Sequence, residues 1–311
     1  MPSGGINKIE ILDLNGNGFL DIVSGHQDGA IYWTKNSGNN NFLTPQLITG
    51  NAGYGTGFGF ININQDFYLD LVFTSEYNNT LNYAINNSGF GFISETTIDS
   101  SIQDPRNLII KDFDKDGNDD IIISYTGDDK IAWVKNKLFE SFAPVKEITN
   151  NVYNPEYFLI EDLDNDNSLE VIVASYQENI AQSQKLSIFK NIPNTDTYLE
   201  NIINLPLSAV SVVRIADLNN DGNNDIISGF KSIVWNKNYG NDLFSSHYMV
   251  SNDNTTNQVS DIQIKDLNSD GWLDIIGATD GKIEVYKNNN GTSFELIYSH
   301  NFNNESVGKI E

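Results

Sequence analysis

Apolar residues fall along the chain in short runs, each preceded by a nine-residue polar stretch rich in Asp and Asn. Ile22-Val23, Leu71-Val72-Phe73, Ile121 to Ile123, Val171 to Val173, Ile226-Ile227 and Ile275-Ile276 are such runs. They are too short for helices and are bounded by turn residues, so they predict buried strands. Another strand leads into the polar stretch, as in Lys8 to Leu12, Asn107 to Lys111, Val212 to Ala216 and Asp261 to Lys265. After the buried run comes a hexamer of period-two alternation: Ile31 to Asn36, Leu81 to Asn86, Ile131 to Asn136, Leu186 to Asn191, Ile233 to Asn238 and Ile283 to Asn288. Its first and third residues are apolar in every copy, so one face packs against a neighbour, and Trp33, Trp133 and Trp235 belong to that face. A polar turn then leads to an outer strand opened by Phe42, Phe90, Phe142, Phe244 or Phe294.

The six polar stretches are Asp13 to Asp21, Asn62 to Asp70, Asp112 to Asp120, Asp162 to Glu170, Asp217 to Asp225 and Asp266 to Asp274, and they start roughly 50 residues apart. A unit of that size cannot bury its own sheet, and four strands per unit is the arithmetic of a propeller blade. A parallel β-helix, the competitor, has shorter coils and needs no hairpin turn after the third strand. The expectation is an all-β fold: one β-propeller over 1–311, built of four-stranded antiparallel blades at about 5–53, 54–103, 104–153, 154–208, 209–257 and 258–305. Six blades are expected, with seven, one incomplete or missing, as the alternative. Val307 to Glu311 repeats the pattern around Lys8-Ile9-Glu10, so 306–311 reads as a closing strand or the start of a further repeat. An insertion around Gln177 to Gln184 lengthens the loop after the second strand of unit four and is predicted to project into solvent.

Oxygen-bearing side chains at positions 1, 3, 5 and 9 of each stretch, with a turn glycine at 6 and a carbonyl at 7, suit a hard cation such as Ca2+. An EF-hand would continue to an acid at position 12 and enter a helix, whereas these loops enter strands. Loop three (Asp112, Asp114, Asp116, Asn118, Asp120), with four carboxylates and its turn glycine, is expected to be the strongest, and loops five (Asp217, Asn219, Asp221, Asn223, Asp225) and six (Asp266, Asn268, Asp270, Trp272, Asp274), with three each, follow. Loop one (Asp13, Asn15, Asn17, Phe19, Asp21) is weaker in charge, and loop four (Asp162, Asp164, Asp166, Ser168, Glu170) has Asn167 for the turn glycine and a longer acid at its end. Loop two (Asn62, Asn64, Asp66, Tyr68, Asp70) carries Phe67 at the glycine position, so an altered backbone and no ion are expected there. Three to five Ca2+ ions are therefore expected, as structural pins between strands.

The net charge of −24, from 42 acids against 18 bases, leaves no cationic surface for nucleic acid. There is no Cys, hence no disulfide or thiolate chemistry. No apolar run is long enough for membrane insertion, and no signal peptide is visible at the start of the chain. His26, His247 and His300 occupy unlike positions in the repeat, and Arg106 and Arg214 fall in or beside first strands, so none forms a repeated catalytic set. No catalytic residue is assigned, and an enzyme is the less favoured reading. Tyr54 and Phe58, in a glycine-rich stretch, and Trp272, inside loop six, are the candidate aromatic platforms for a ligand.

These Asp-rich loops followed by strands, with turns such as Lys135-Asn136 and Asn36-Ser37-Gly38-Asn39-Asn40-Asn41-Phe42, resemble the FG-GAP or VCBS repeats of integrin α-chain propellers and bacterial secreted relatives. The resemblance covers essentially the whole chain. It implies that the loop joins the first and second strands of each blade and binds Ca2+ on one face, and that the protein works outside the cell or at its surface. Gly29 to Tyr32 through Phe42, then Asn51 to Gly55, is similar to segments of an integrin-like fungal lectin propeller. The function implied is a binding module, lectin-like or adhesin-like, for a glycan or an extracellular protein. The alternatives are a polysaccharide lyase or hydrolase on the same scaffold, and a structural spacer in a larger secreted protein.

Overall fold

The computed structural model describes residues 5–39, 41–93, 95–139, 141–176, 184–192, 195, 197–204, 210–241, 243–251, 258–279 and 281–302. The tail from Val307 to Glu311 and the insertion from Gln177 to Ser183 lie outside them, while Gln184, the far end of the expected insertion, is described.

The described residues form six four-stranded sheets, each a meander with its strands in chain order. Blade one is β1 (Ile6–Leu12), β2 (Asp21–His26), β3 (Ile31–Thr34) and β4 (Gln46–Thr49); blade two is β5 (Phe58–Ile61), β6 (Asp70–Ser75), β7 (Thr80–Ala84) and β8 (Thr96–Asp99). Blade three is β9 (Pro105–Lys111), β10 (Asp120–Tyr125), β11 (Lys130–Val134) and β12 (Lys146–Thr149); blade four is β13 (Tyr153–Glu161), β14 (Glu170–Tyr176), β15 (Gln184–Asn191) and β16 (Tyr198–Asn204). Blade five is β17 (Val212–Ala216), β18 (Asp225–Gly229), β19 (Ile233–Asn236) and β20 (Tyr248–Met249); blade six is β21 (Val259–Lys265), β22 (Asp274–Thr279), β23 (Lys282–Asn288) and β24 (Phe294–Asn301). The fold is thus all-β, a six-bladed propeller of antiparallel blades. Two compact units divide the chain, Met1–Leu159 and Ile160–Glu311.

Within the first unit, Val23, Ile31 and Trp33 of blade one bury against Phe58, Leu71 and Phe73 of blade two. Blade two in turn buries Ile61, Val72, Leu81 and Tyr83 against Leu108, Ile121 and Ile123 of blade three. The second unit repeats the arrangement with Ile227, Ile233 and Trp235 against Val259, Ile262 and Ile275. Second strands are covered on both faces, which is why they read as unbroken apolar runs. Each such Ile or Val contributes about 1.5–3 kcal/mol on burial. Trp33 and Trp235 are fully buried as expected, whereas Trp133 is half-buried.

Glycine lets backbones approach at the junction of blades one to three. A Cβ on Gly57 would stand 1.9 Å from the Arg106 carbonyl oxygen and 2.1 Å from Thr74 Oγ1, and one on Gly25 would stand 2.1 Å from the Gly55 carbonyl oxygen. The glycine-rich stretch is therefore a packing device.

In blades two, three, five and six the asparagine that ends the third-strand hexamer fastens neighbouring blades. Nδ2 of Asn86 donates to the Leu14 carbonyl at 2.8 Å, and that of Asn136 to the Asn62 carbonyl at 3.0 Å. Asn238 donates to the Leu163 carbonyl at 2.9 Å and Asn288 to that of Leu218 at 2.8 Å. Six residues after this asparagine a phenylalanine bridges back to it, in the pairs Asn36–Phe42, Asn86–Phe92, Asn136–Phe142 and Asn238–Phe244. Phe92, and not Phe90, is thus the blade-two member of the series. Except in β24, the outer strand begins a few residues beyond the bridge.

Candidate metal centres and contact surface

The loop after each first strand is shaped by its own side chains. Its fourth residue is left-handed in every copy: Gly16, Gln65, Lys115, Asn165, Asn220 and Ser269. So is the sixth in Gly18, Gly117, Asn167, Gly222 and Gly271. In those five loops the sixth N–H donates to the first residue's carboxylate at 2.7–3.0 Å, an Asx-type closure. Phe67 stays out of the left-handed region, and in loop two Asn62 Nδ2 donates to the Asp66 carbonyl at 2.8 Å instead. The seventh N–H donates to the fifth side chain throughout, as Asn118 does to Asp116 at 2.9 Å and Trp272 to Asp270 at 3.0 Å.

Position nine plays a role that its residue type alone does not reveal. Asp21, Asp70, Asp120, Glu170, Asp225 and Asp274 are fully buried. Asp225 accepts the Leu218 N–H at 3.1 Å, the Asn238 N–H at 2.7 Å and Trp235 Nε1–H at 2.9 Å, and Asp21 accepts the same three kinds of donor from Leu14, Asn36 and Trp33. This acid is a hub tying loop, third strand and core tryptophan together before any ion is considered. In blade three Asp120 Oδ1 accepts the Asn136 N–H at 2.9 Å, but Oδ2 and Trp133 Nε1 are out of solvent and make no well-formed hydrogen bond.

Among the described residues, two loops gather three acids within 4.8 Å of one another: Asp112, Asp114 and Asp120 in loop three, and Asp162, Asp164 and Glu170 in loop four. Loops one, two, five and six carry Asn at position three, so no third acid reaches the group. The donor set fits a hard cation. Asp120 Oδ2 and Glu170 Oε1 are buried oxygens with no well-formed hydrogen bond, which is costly unless a cation or proton answers them. Asp112, Asp114 and Asp120, or Asp162, Asp164 and Glu170, would hold the ion, and it would supply charge neutralisation and a cross-link between two strands.

Burial pushes the carboxyls of Asp70, Asp120 and Asp225 up to about 6 and that of Glu170 up to about 7, against backbone N–H groups that pull them down. A carboxyl raised in the fold keeps its proton longer than in the unfolded chain, so it stabilises at low pH and loses that contribution as pH rises through the folded value. Chelator-dialysed protein is accordingly expected to melt at a higher temperature at pH 5 than at pH 7.5, measured by circular dichroism. A lower melting temperature at pH 5 would contradict this account of the hubs.

The aromatic candidates separate cleanly. Phe58 is fully buried in the core between blades one and two, so it is corrected from contact residue to core residue: the glycines around it bring two backbones together over its ring. Tyr54, set between left-handed Gly53 and Gly55, is 46% exposed, and Tyr77, which the sequence did not single out, lies beside it at 5.6 Å between ring centroids and is 65% exposed. Trp272 is half-buried, with its ring against Gly291 of the following turn. His26 is buried, its Nε2 2.9 Å from Ser24 Oγ, while His247 and His300 are exposed in blades five and six. Arg214 pairs with Asp261 and donates to the Ile262 carbonyl at 2.9 Å, and Arg106 pairs with Asp104 at 3.3 Å, so both hold first strands in place.

Fold and loops together define a repeat propeller whose strand-linking loops hold candidate cation sites. The FG-GAP-like repeat profile matches residues 13–73, 162–228 and 266–308, more than half of the chain, and the protein belongs to that family. No curated protein sequence matches it. Among solved structures, the crystal structure of BBS1N in complex with ARL6DN, soaked with mercury, aligns over 97% of this chain and 83% of the other at 12% identity and a TM-score of 0.59. The lead-soaked crystal of the same complex aligns over the same shares at 13% identity and a TM-score of 0.56. At these identities the likeness is one of fold.

Proposed function

We propose that the chain is a Ca2+-stabilised binding module that recognises a glycan or a protein partner outside the cell or at its surface. The observation that carries the reading is the pair of acid clusters in loops three and four, each closed by a buried carboxylate oxygen that makes no well-formed hydrogen bond, the Lys190 ammonium standing 4.0 Å from Glu170 Oε1. Loops five and six, and then loop one, complete an expected three to five ions with fewer carboxylates each. Extracellular calcium fills loops of this kind even at weak affinity, on the order of 10⁻⁴–10⁻³ M. With the acids committed to the framework, contact with a partner falls to residues that differ between blades. The exposed pair Tyr54 and Tyr77 offers flat apolar faces with hydroxyls at their edges, suited to a sugar or to a protein side chain. BBS1N, which shares the fold, is crystallised in complex with ARL6DN, and this supports a protein as one of the two partner classes.

The test is a glycan array and a surface-protein capture assay, each run with Ca2+ and with EDTA, using the whole chain and Tyr54→Ala/Tyr77→Ala. Calcium-dependent retention that the double substitution weakens at least tenfold is expected. Release of unsaturated sugar product would replace this reading with the lyase, and retention unchanged by both EDTA and the substitutions would remove both the cation and the tyrosines from it.

A further inference from the structure

The fifth residue of the third-strand hexamer is lysine in five blades, Lys35, Lys135, Lys190, Lys237 and Lys287, and isoleucine (Ile85) in blade two. The lysines dock in two different ways. Lys135 reaches into loop three, where Nζ contacts Asp114 and lies 2.7 Å from Asp116 Oδ2. Lys190 does the same in loop four, contacting Asp164 and lying 2.9 Å from Asp166 and 4.0 Å from Glu170 Oε1. Lys35 and Lys237 turn away from their loops. Lys35 lies over the Trp33 ring at 4.0 Å and donates to the Gly89 carbonyl at 2.9 Å; Lys237 lies over Trp235 at 4.3 Å and donates to the Gly291 carbonyl at 3.2 Å.

Loop position three separates the two groups. It is Asp where the lysine is drawn in (Asp114, Asp164) and Asn where it is not (Asn15, Asn219). In loop one position five is Asn17, which offers a lysine no charge, and in loop five the amide supplies a donor of its own. Asn219 Nδ2 donates to Asp221 Oδ2 at 2.9 Å, so the carboxylate that a lysine would pair with is already partnered. Asn64, in the blade without lysine, donates to Asp66 at 3.0 Å in the same way. Blade six is intermediate: with Asn268 at position three, Lys287 makes one longer contact, 3.4 Å to Asp270.

We propose that Lys135 and Lys190 are built-in competitors for the cation in loops three and four, setting its affinity by occupying the oxygens of positions three and five. The proposal rests on the calcium reading of these loops and deepens it. The fourth carboxylate of each loop arrives with its own counter-charge, so the loops richest in acid are not the tightest sites in proportion to their acids. An entering ion has to displace an ammonium held by two carboxylates, and the lysine has to leave for water. Loops one and five make no such demand, because their lysines are already fastened elsewhere.

The test is calcium titration by calorimetry of the whole chain, wild type against Lys135→Met, Lys190→Met and, as controls, Lys35→Met and Lys237→Met. Methionine keeps the stem and removes the charge. Each loop substitution is expected to raise the affinity of one site about tenfold, the effect of removing one like charge at contact distance. The controls are expected to leave the titration unchanged. In chelator, Lys135→Met and Lys190→Met are expected to melt below wild type, and with saturating Ca2+ at or above it, a reversal that a merely structural lysine would not produce. Calcium binding by wild type with unchanged or weaker affinity in both loop variants would overturn the proposal and leave the calcium reading standing. Absence of binding in wild type and every variant would overturn both.

Discussion

Gly57→Ala is expected to cost more than about 4 kcal/mol of stability, enough to leave little folded protein at 37 °C. The added Cβ would overlap the Arg106 carbonyl oxygen at 1.9 Å and Thr74 Oγ1 at 2.1 Å. Neither neighbour yields easily. The Thr74 hydroxyl donates to the Arg106 carbonyl at 3.0 Å, and the Thr74 N–H donates to the Gly57 carbonyl at 2.7 Å, so moving either group breaks a buried hydrogen bond. Urea unfolding followed by tryptophan fluorescence measures the loss. A midpoint within experimental error of wild type would show that blades two and three stand farther apart than described. Gly50, by contrast, has open space around its Cβ position, so Gly50→Ala is the matched control and is expected to be tolerated.

Asp225→Ala is expected to destabilise by about 3–5 kcal/mol in the absence of any metal. The substitution strands the Leu218 N–H, the Asn238 N–H and the Trp235 indole N–H, all of which the carboxylate now accepts in a buried setting. Asp225→Asn keeps one acceptor oxygen and should lose roughly half as much. Thermal and urea unfolding in chelator are the measurements that count, because they separate the hub from any ligand role. A loss below about 1 kcal/mol in chelator would confine this acid to the ion and refute the hub.

Much of this architecture is legible in the sequence, because it repeats. The order strand, polar loop, strand, hexamer, turn is written six times, in units whose size and hairpin turn favour a propeller blade over the coil of a β-helix, and the tryptophans on the hexamer face follow from it. The Phe90-Gly91-Phe92 stretch shows how a local reading slips: only counting six from Asn86, as Phe42 is six from Asn36, selects Phe92. Phe58 was misleading for a different reason. Glycine-rich surroundings suggest an open turn, but here the missing side chains allow backbones to close over the ring, and sequence does not distinguish the two. The left-handed fourth loop residue could not be read at all, since Gly, Gln, Lys, Asn, Asn and Ser share no property except tolerating a turn. The acids at positions one, three, five and nine were visible as a set, yet their division of labour was not. Position nine turns inward as a hub, and the lysine that meets positions three and five comes from a strand some twenty residues on, a pairing that only the fold reveals.

The asparagine fasteners bear on how the molecule would fail under load. Asn86, Asn136, Asn238 and Asn288 each reach only to the loop of the adjoining blade, so tension along the chain is carried by a series of short links, each bridging a single seam. A pull on such an assembly opens a seam and leaves the sheets on either side intact. Rupture in a force experiment should therefore come in steps of about one repeat, roughly 50 residues of released chain each.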